Sequence, residues 1–456
     1  YLPKGDPKSA DITYSADLKA GYRSKLLGYS FSESVDDLEG SFSFTVENEE
    51  VDEDGRTVFD IVPIRSIIKI YEGDLERPAF VGIVRRRRLG MSMTSQGVKR
   101  SITFIGKSII SCIAEYTISL DVKIQGVSDA ISRTKSLEDR LAHDGLTIKD
   151  FMKESWNHFK EVSENAGIST GGIADIINKF IGDGDPEKFI EVSGKEQELR
   201  YNIATIFYNE ANNVISDIWR GMLPQPVYEF FSRCDEGKPK IIARQVPYGD
   251  PENGCYDWRQ LPIYRISPIS LTAYDLEQND EEVYTAFASY VIGSGMSREF
   301  YMAVNQTGND STVKYDTEKQ RIYGFKPLEI NFIGYDRQGN TNNEGTDSLT
   351  KAVKKLNELA AYWYSRLDDM YSGSATICTD FNEPETNPRA GCRAKFLGGE
   401  FYITKTDHAW NYGGTPTIKL TLSRGMMYDK DGKMRPGEEG VIKKVGGRFR
   451  ELETEA

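Results

Sequence analysis

Histidine is nearly absent: His143, His158 and His408 are the only three in 456 residues. None stands near a cysteine or a carboxylate cluster, so a nucleophile–base–acid triad would have to be assembled from distant parts of the chain. Cysteine is scarce too. The five, Cys112, Cys234, Cys255, Cys378 and Cys392, are scattered and never spaced CxxC. Structural zinc needs clustered soft ligands, so no metal site is expected, and free thiols of a reducing compartment are the reading. A Cys378–Cys392 bridge across a hairpin is the alternative. No apolar run approaches the ~20 residues that a membrane-spanning helix needs. The opening YLPKGDPKSADITYS has no basic stretch leading into an apolar core, so a secretory signal is not expected. Positive charge is in deficit, 57 Lys and Arg against 70 Asp and Glu, for a net charge of −13. Such a chain repels phosphate backbones, and specific nucleic-acid binding is not expected. GxSxG, GxxxxGK[ST], HExxH and a post-strand GxGxxG are all missing, and no cofactor is implied.

What is present is patterned mostly as strands. Tyr (25) and Phe (21) are plentiful, which suits half-buried sheets. Ser41–Val46 (SFSFTV) alternates Phe42, Phe44 and Val46 with small polar residues. Strand patterns recur over Ile67–Gly73, Pro78–Met93 and Ser101–Gly106, separated by acidic or Gly-bearing turns. Within the second lie Arg85, Arg86, Arg87 and Arg88. Alternate strand residues point to opposite faces, so Arg85 and Arg87 share one face and Arg86 and Arg88 the other. Cations on both faces place this strand near a sheet edge, as a subunit interface or solvated rim rather than a phosphate contact.

From 126 to 223 the spacing becomes helical, with Gly-rich breaks, and reads as an insertion. His143 and His158 fall there as surface or helix-end residues. Strand patterns return from 224. A helix over 348–372 carries Leu349, Val353, Leu356, Ala360, Trp363, Leu367 and Met370 on one seam. Asp347 or Ser348 is expected to cap it and Gly373 to end it. In the last strand Ile418, Leu420 and Leu422 face one way, and Thr417, Lys419, Thr421 and Ser423 the other. The tail over 426–456 is Gly-rich and charged. Carboxylate pairs such as Asp36–Asp37 and Glu281–Glu282 read as solvated surface among so many acids. Asp429–Glu439 begins like a calcium loop but lacks its third oxygen ligand and its closing Glu.

Three stretches, in order, carry a resemblance. FVGIVRRRR follows a Gly turn. KPKIIARQVPYGD is followed by DWRQLPIYRISPISLTAYDLEQNDEEVYTAF. ITKTDHAWNYGGTPTIKLTLSRG closes the set. Together they resemble baseplate hub proteins of contractile phage tails and phage-tail-like (R-type) bacteriocins. The resemblance implies an α+β, mainly β fold: an N-terminal arm and first tube-like antiparallel β-barrel (1–125), a helical insertion (126–223), a second tube-like β domain (224–425), and a tail reaching toward the spike (426–456). It implies a homotrimer that joins a central spike protein to the hexameric tail tube protein around an axial channel. Other baseplate proteins and the tape measure are further partners. It also implies a non-enzymatic component of a virion or tail-like particle, made in the bacterial cytoplasm and released by lysis. No spike-like C-terminal region is recognisable, so the spike is expected to be a separate protein. His408, Gly413 and Gly414 are then expected to shape a tight turn, with the imidazole bonding to backbone. Two other classes remain open: a hub-associated peptidoglycan hydrolase, and a carbohydrate- or receptor-binding β-protein.

Overall fold

A computed structural model describes residues 26–48, 57–73, 77–94, 97–115, 147, 149–150, 152–157, 181, 185–193, 215–247, 260–292, 313–333, 344–379, 387–428 and 434–435. The N-terminal arm, most of the expected helical insertion with His143 and His158, and most of the tail from 429 lie outside the described residues, as does Cys255.

The chain is mainly β. Its first strands are β1 (Leu26–Ser34), β2 (Asp37–Glu47), β3 (Ile67–Ile70), β4 (Phe80–Thr94) and β5 (Gly97–Ser108). There follow β6 (Ile190–Ser193), β7 (Tyr228–Asp235), β8 (Lys238–Gln245), β9 (Ile263–Arg265), β10 (Leu271–Glu277), β11 (Ala286–Ile292), β12 (Lys314–Tyr315) and β13 (Pro327–Ile333). The last are β14 (Tyr371–Cys378), β15 (Arg393–Phe396), β16 (Gly399–Asn411), β17 (Thr417–Tyr428) and β18 (Met434–Arg435).

One sheet dominates, with strands in the order β10-β14-β17-β16-β1-β2-β5-β4-β3. Strands from both ends of the chain therefore share a single sheet. The joint is the antiparallel pairing of β1 with β16, from Gly28 opposite Asn411 to Ser34 opposite Lys405. Among the described residues the path stays open, with β10 and β3 at its ends, and no closed barrel is seen. Two smaller sheets, β6-β8-β7 and β12-β11-β13, pack beside it.

Strict alternation explains the layering. In β5, Ile102 and Phe104 are fully buried while Ser101, Thr103 and Ile105 are half-exposed. Phe31, Phe42, Val46, Phe80 and Val84 join them in one apolar cluster. The C-terminal strands place Ala375, Ile377, Phe401, Ile403, Ile418, Leu420 and Leu422 in another. Burying such side chains stabilises the fold by about 1.5–3 kcal/mol each. A third and larger cluster, including Trp156 and Trp219, packs β7 and β8 against the helices.

The long helix spans Glu344–Tyr364. It is shorter at its C-terminus than its periodicity predicts, and its seam is buried at Val353, Leu356, Ala360 and Trp363. Gly373 does not end it: a short 3-10 turn over Leu367–Asp369 intervenes, and Gly373 lies inside β14. The reason is a close approach. Gly373 has φ +143°, and a Cβ there would sit 2.0 Å from the carbonyl oxygen of Asp275 on β10. Sheet pairing with β10 therefore outweighed helix continuation. Among the described residues no helix is long and apolar enough to cross a membrane, and no group of His, Cys, Asp and Glu can hold a metal ion.

Replacing Gly373 by Ala is expected to lower unfolding free energy by at least about 2 kcal/mol, because both the φ and the clash oppose it. Urea denaturation followed by circular dichroism measures this.

Candidate functional site: a hydroxyl-lined sheet face over a buried ionic junction

The face of the main sheet opposite the core is built from small polar residues. Register places Ser41, Ser43 and Thr45 of β2 opposite Lys107, Ile105 and Thr103 of β5, and Ser32 and Ser30 of β1 opposite Ser41 and Ser43. The same face continues across the β1–β16 joint to Lys405, Asp407 and Ala409. It reaches Thr421, Lys419 and Thr417 of β17, then Ser374 and Thr376 of β14. None of these side chains is fully buried. Hydroxyls bond one another across strands: Ser30 to Ser43 at 2.9 Å, Ser32 to Ser41 at 2.8 Å, and Thr45 to Thr103 at 2.9 Å. Charges on this face are balanced locally, as in the Lys405–Asp407 pair at 2.8 Å and the Lys107 contacts with Glu39 and Glu115. The result is a broad, shallow surface of paired hydroxyls with balanced charges at its centre, while Arg86 and Arg88 on β4 and Asp275 and Glu277 on β10 stand exposed at its ends.

Under this face the two halves are tied by buried ions. The segment 387–393 runs Asn-Pro-Arg-Ala-Gly-Cys-Arg. Arg389 grips Glu33 of β1 with two nitrogens, at 2.9 and 2.5 Å. It also donates to the carbonyls of Ala79 and Cys234. Glu33 is 2% exposed and further accepts the Cys234 amide. Burial alone would depress the Arg389 guanidinium, but Glu33 outweighs it and holds the group well above its ordinary value.

Neighbouring arginines repeat the device. Arg244 of β8 donates to Glu229 at 2.6 Å, to the Gly391 carbonyl and to the Tyr402 hydroxyl. Arg233 reaches Asp235, the Ala390 carbonyl and Cys392. Arg393 bonds Glu400 and the Leu261 carbonyl. Gly391 is required here: at φ +77°, a Cβ would press to 2.6 Å from Phe231 and 2.8 Å from Arg244. Burial pushes the Cys234 thiol up to about 12, which leaves it protonated and inert. Among the described residues Cys112, Cys234, Cys378 and Cys392 are all free.

His408 belongs to this junction and not to a turn. It lies within β16, opposite Phe31 and Ile418, is fully buried, and stacks on Phe31 with ring centroids 4.2 Å apart. Its Nδ1 is 2.9 Å from Glu72 Oε2. The expected imidazole–backbone bond is therefore replaced by a carboxylate partner, since alternation turns this strand position inward. The turn at Gly413 and Gly414 is closed by others: the Gly414 amide donates to the Asn411 carbonyl, the Trp410 indole donates to the Gly414 carbonyl, and Gly413 takes φ +79°. Glu72 also accepts from Tyr29 and Asn387. Burial pushes the Glu72 carboxyl upward, but His408, Tyr29 and Arg389 outweigh it and leave it below the ordinary 4.5.

A bulge between Val84 and Arg86 interrupts the expected alternation at Arg85. Arg85 bonds Ser111 and Glu115, while Arg87 bonds the Phe59 and Val62 carbonyls and covers the Phe59 ring at 4.1 Å. Arg86 and Arg88 point to solvent. Sequence reading passed over Glu33, Glu72, Arg389 and Arg393. The signal available was two arginines spaced by small or buried-type residues in a short Pro- and Gly-bearing segment.

Replacing Arg389 by Met is expected to cost about 3–5 kcal/mol, because Glu33 is left charged and buried. The pair Glu33→Gln with Arg389→Met should recover part of that loss in the same denaturation assay. Glu72 gives a pH dependence of defined sign. Its carboxyl is more acidic in the folded chain, so stability is complete above about pH 4.5 and is lost as pH falls through the folded value. Melting temperature against pH should fall less steeply in Glu72→Gln than in the wild type.

No family model matches the chain, and no curated protein matches it. Among solved structures, a tail protein from Neisseria meningitidis MC58 aligns over 88% of this chain and 93% of its own, at 10% identity and a TM-score of 0.44. The 43 kDa tail protein of prophage MuSo2 from Shewanella oneidensis aligns over 88% and 94%, at 10% identity and 0.43. A component of the Escherichia coli type VI secretion system aligns over 90% and 76%, at 8% identity and 0.36. At this level the likeness is one of partial shape, and it assigns no activity or partner to this chain.

Proposed function

We propose that the chain is a structural hub of a contractile injection system, a trimeric adaptor that joins a central spike to a hexameric tail tube. The observation that carries this reading is the hydroxyl-lined face running unbroken across strands from both halves of the chain. A channel wall must pass a substrate without holding it. Paired hydroxyls and locally balanced charges do this, whereas a deep cleft with unpaired acids would not. The buried arginines support the same reading, because they are consumed by counter-charges and backbone carbonyls that stiffen the wall. In this account 1–125 and 224–425 are the two tube-like units. Each supplies part of a barrel wall that neighbouring copies complete, so that three chains present six similar segments to the tube. The exposed arginines Arg86 and Arg88 lie at a subunit interface. The tail over 426–456 reaches toward the spike.

Light scattering of the full chain is expected to give the mass of three copies, and negative-stain images a ring with a central hole. A monomer without a hole contradicts the adaptor. Clearing of bacterial walls in a zymogram favours a peptidoglycan hydrolase instead.

A further inference from the structure

The two free ends of the main sheet are complementary. At one end, β3 covers β4 only from Phe80 to Ile83, and the Ser66 and Arg65 backbone extends this to Val84. From Arg86 to Thr94 no described strand pairs with the outer side of β4. At the other end β10 is terminal, with β14 as its one strand partner among the described residues. Its side chains from Thr272 to Asp275 are exposed on both faces, which is unusual for a strand in a folded sheet.

The chemistry of the two ends matches face by face. On the hydroxyl-lined face β4 carries exposed Arg86 and Arg88. On that same face β10 carries exposed Asp275 and Glu277, opposite Ser374 and Ser372, and the turn beyond adds Asp280, Glu281 and Glu282. On the opposite face β4 exposes Leu89 (55%), Met91 (68%) and Met93 (80%), and β10 offers Tyr274 (39%). Just before β10, Ile269 is 96% exposed. Both free stretches are long enough for a strand ladder.

We propose that β4 of one copy pairs edge to edge with β10 of the next, so that the occupant of each free edge is a second copy of this chain. The joint sets Arg86 and Arg88 across from Asp275 and Glu277, where opposite charges on adjacent strands attract. It sets the Leu89–Met91–Met93 stripe beside Tyr274, removing exposed apolar area from water. It also carries the hydroxyl-lined face from copy to copy without a break. Because the two edges differ, the contact is head-to-tail and closes only as a ring. The inference rests on the ring reading above and adds its seam.

The test uses the full chain and light scattering across concentration. Arg86→Glu with Arg88→Glu is expected to weaken assembly at least about tenfold, and Asp275→Lys with Glu277→Lys to do the same. All four changes in one chain restore the opposite pairing and should restore the wild-type mass. Added salt should weaken the wild-type assembly. If the wild type assembles but neither reversal nor salt changes its mass, the seam is overturned and the ring reading stands. If the four-change chain stays as dissociated as the two-change chains, the pairing is likewise overturned. If the wild type is monomeric at every concentration, the ring reading falls and the seam with it. Should a charge-reversed chain fail to fold by circular dichroism, Arg88→Cys with Asp275→Cys replaces it: oxidation should give disulfide-linked multimers, and a product with no inter-chain link overturns the seam.

Discussion

The structure depends on the pairing of β1 with β16. Residues near one end of the chain lie strand to strand with residues more than 370 positions later, and every other feature is arranged around that joint. Closing so long a loop costs conformational entropy that strand hydrogen bonds alone do not repay. The offset comes from beneath the sheet. Glu33 on β1 is clamped by Arg389, and Phe31 on β1 stacks on His408 of β16, whose imidazole is held by Glu72. Removing water from these ions is costly, and they are tolerated because Glu33 and Glu72 each accept several hydrogen bonds, although His408 Nε2 makes none. Such a junction specifies one register, since a one-residue slip would turn Glu33 and His408 out of the core and the serines into it.

That constraint explains how one sheet carries two jobs. Its inner face is aromatic and ionic, and rigid. Its outer face is made of Ser and Thr whose hydroxyls bond across strands. The outer face needs no chemistry of its own to hold shape, so it can remain smooth.

Much of this was legible from sequence. Alternation in Ser41–Val46 and in Thr417–Ser423 gave both faces of β2 and β17, whereas the bulge between Val84 and Arg86 left no trace in the run of arginines. The seam of the long helix was also legible, because burial at every third or fourth residue leaves a local trace. Long-range pairing left none. Nothing near Glu33 points to Arg389, and nothing near Glu72 points to His408, so the junction appears only when the chain is folded. Gly373 misled for a related reason: a glycine after a helix usually caps it, but this one is fixed by the Asp275 carbonyl of another strand. His408 was placed near the correct turn and given the wrong partner, because its inward orientation depends on the register of β16.

The central claim is that the two halves form a single cooperative wall. Native-state hydrogen exchange tests it directly, by measuring the opening free energy of backbone amides in β2 and β5 against those in β14 and β17. One common value for both sets is predicted, equal to that of β1 and β16. Two distinct values, with the C-terminal strands opening while the N-terminal strands stay protected, would contradict it.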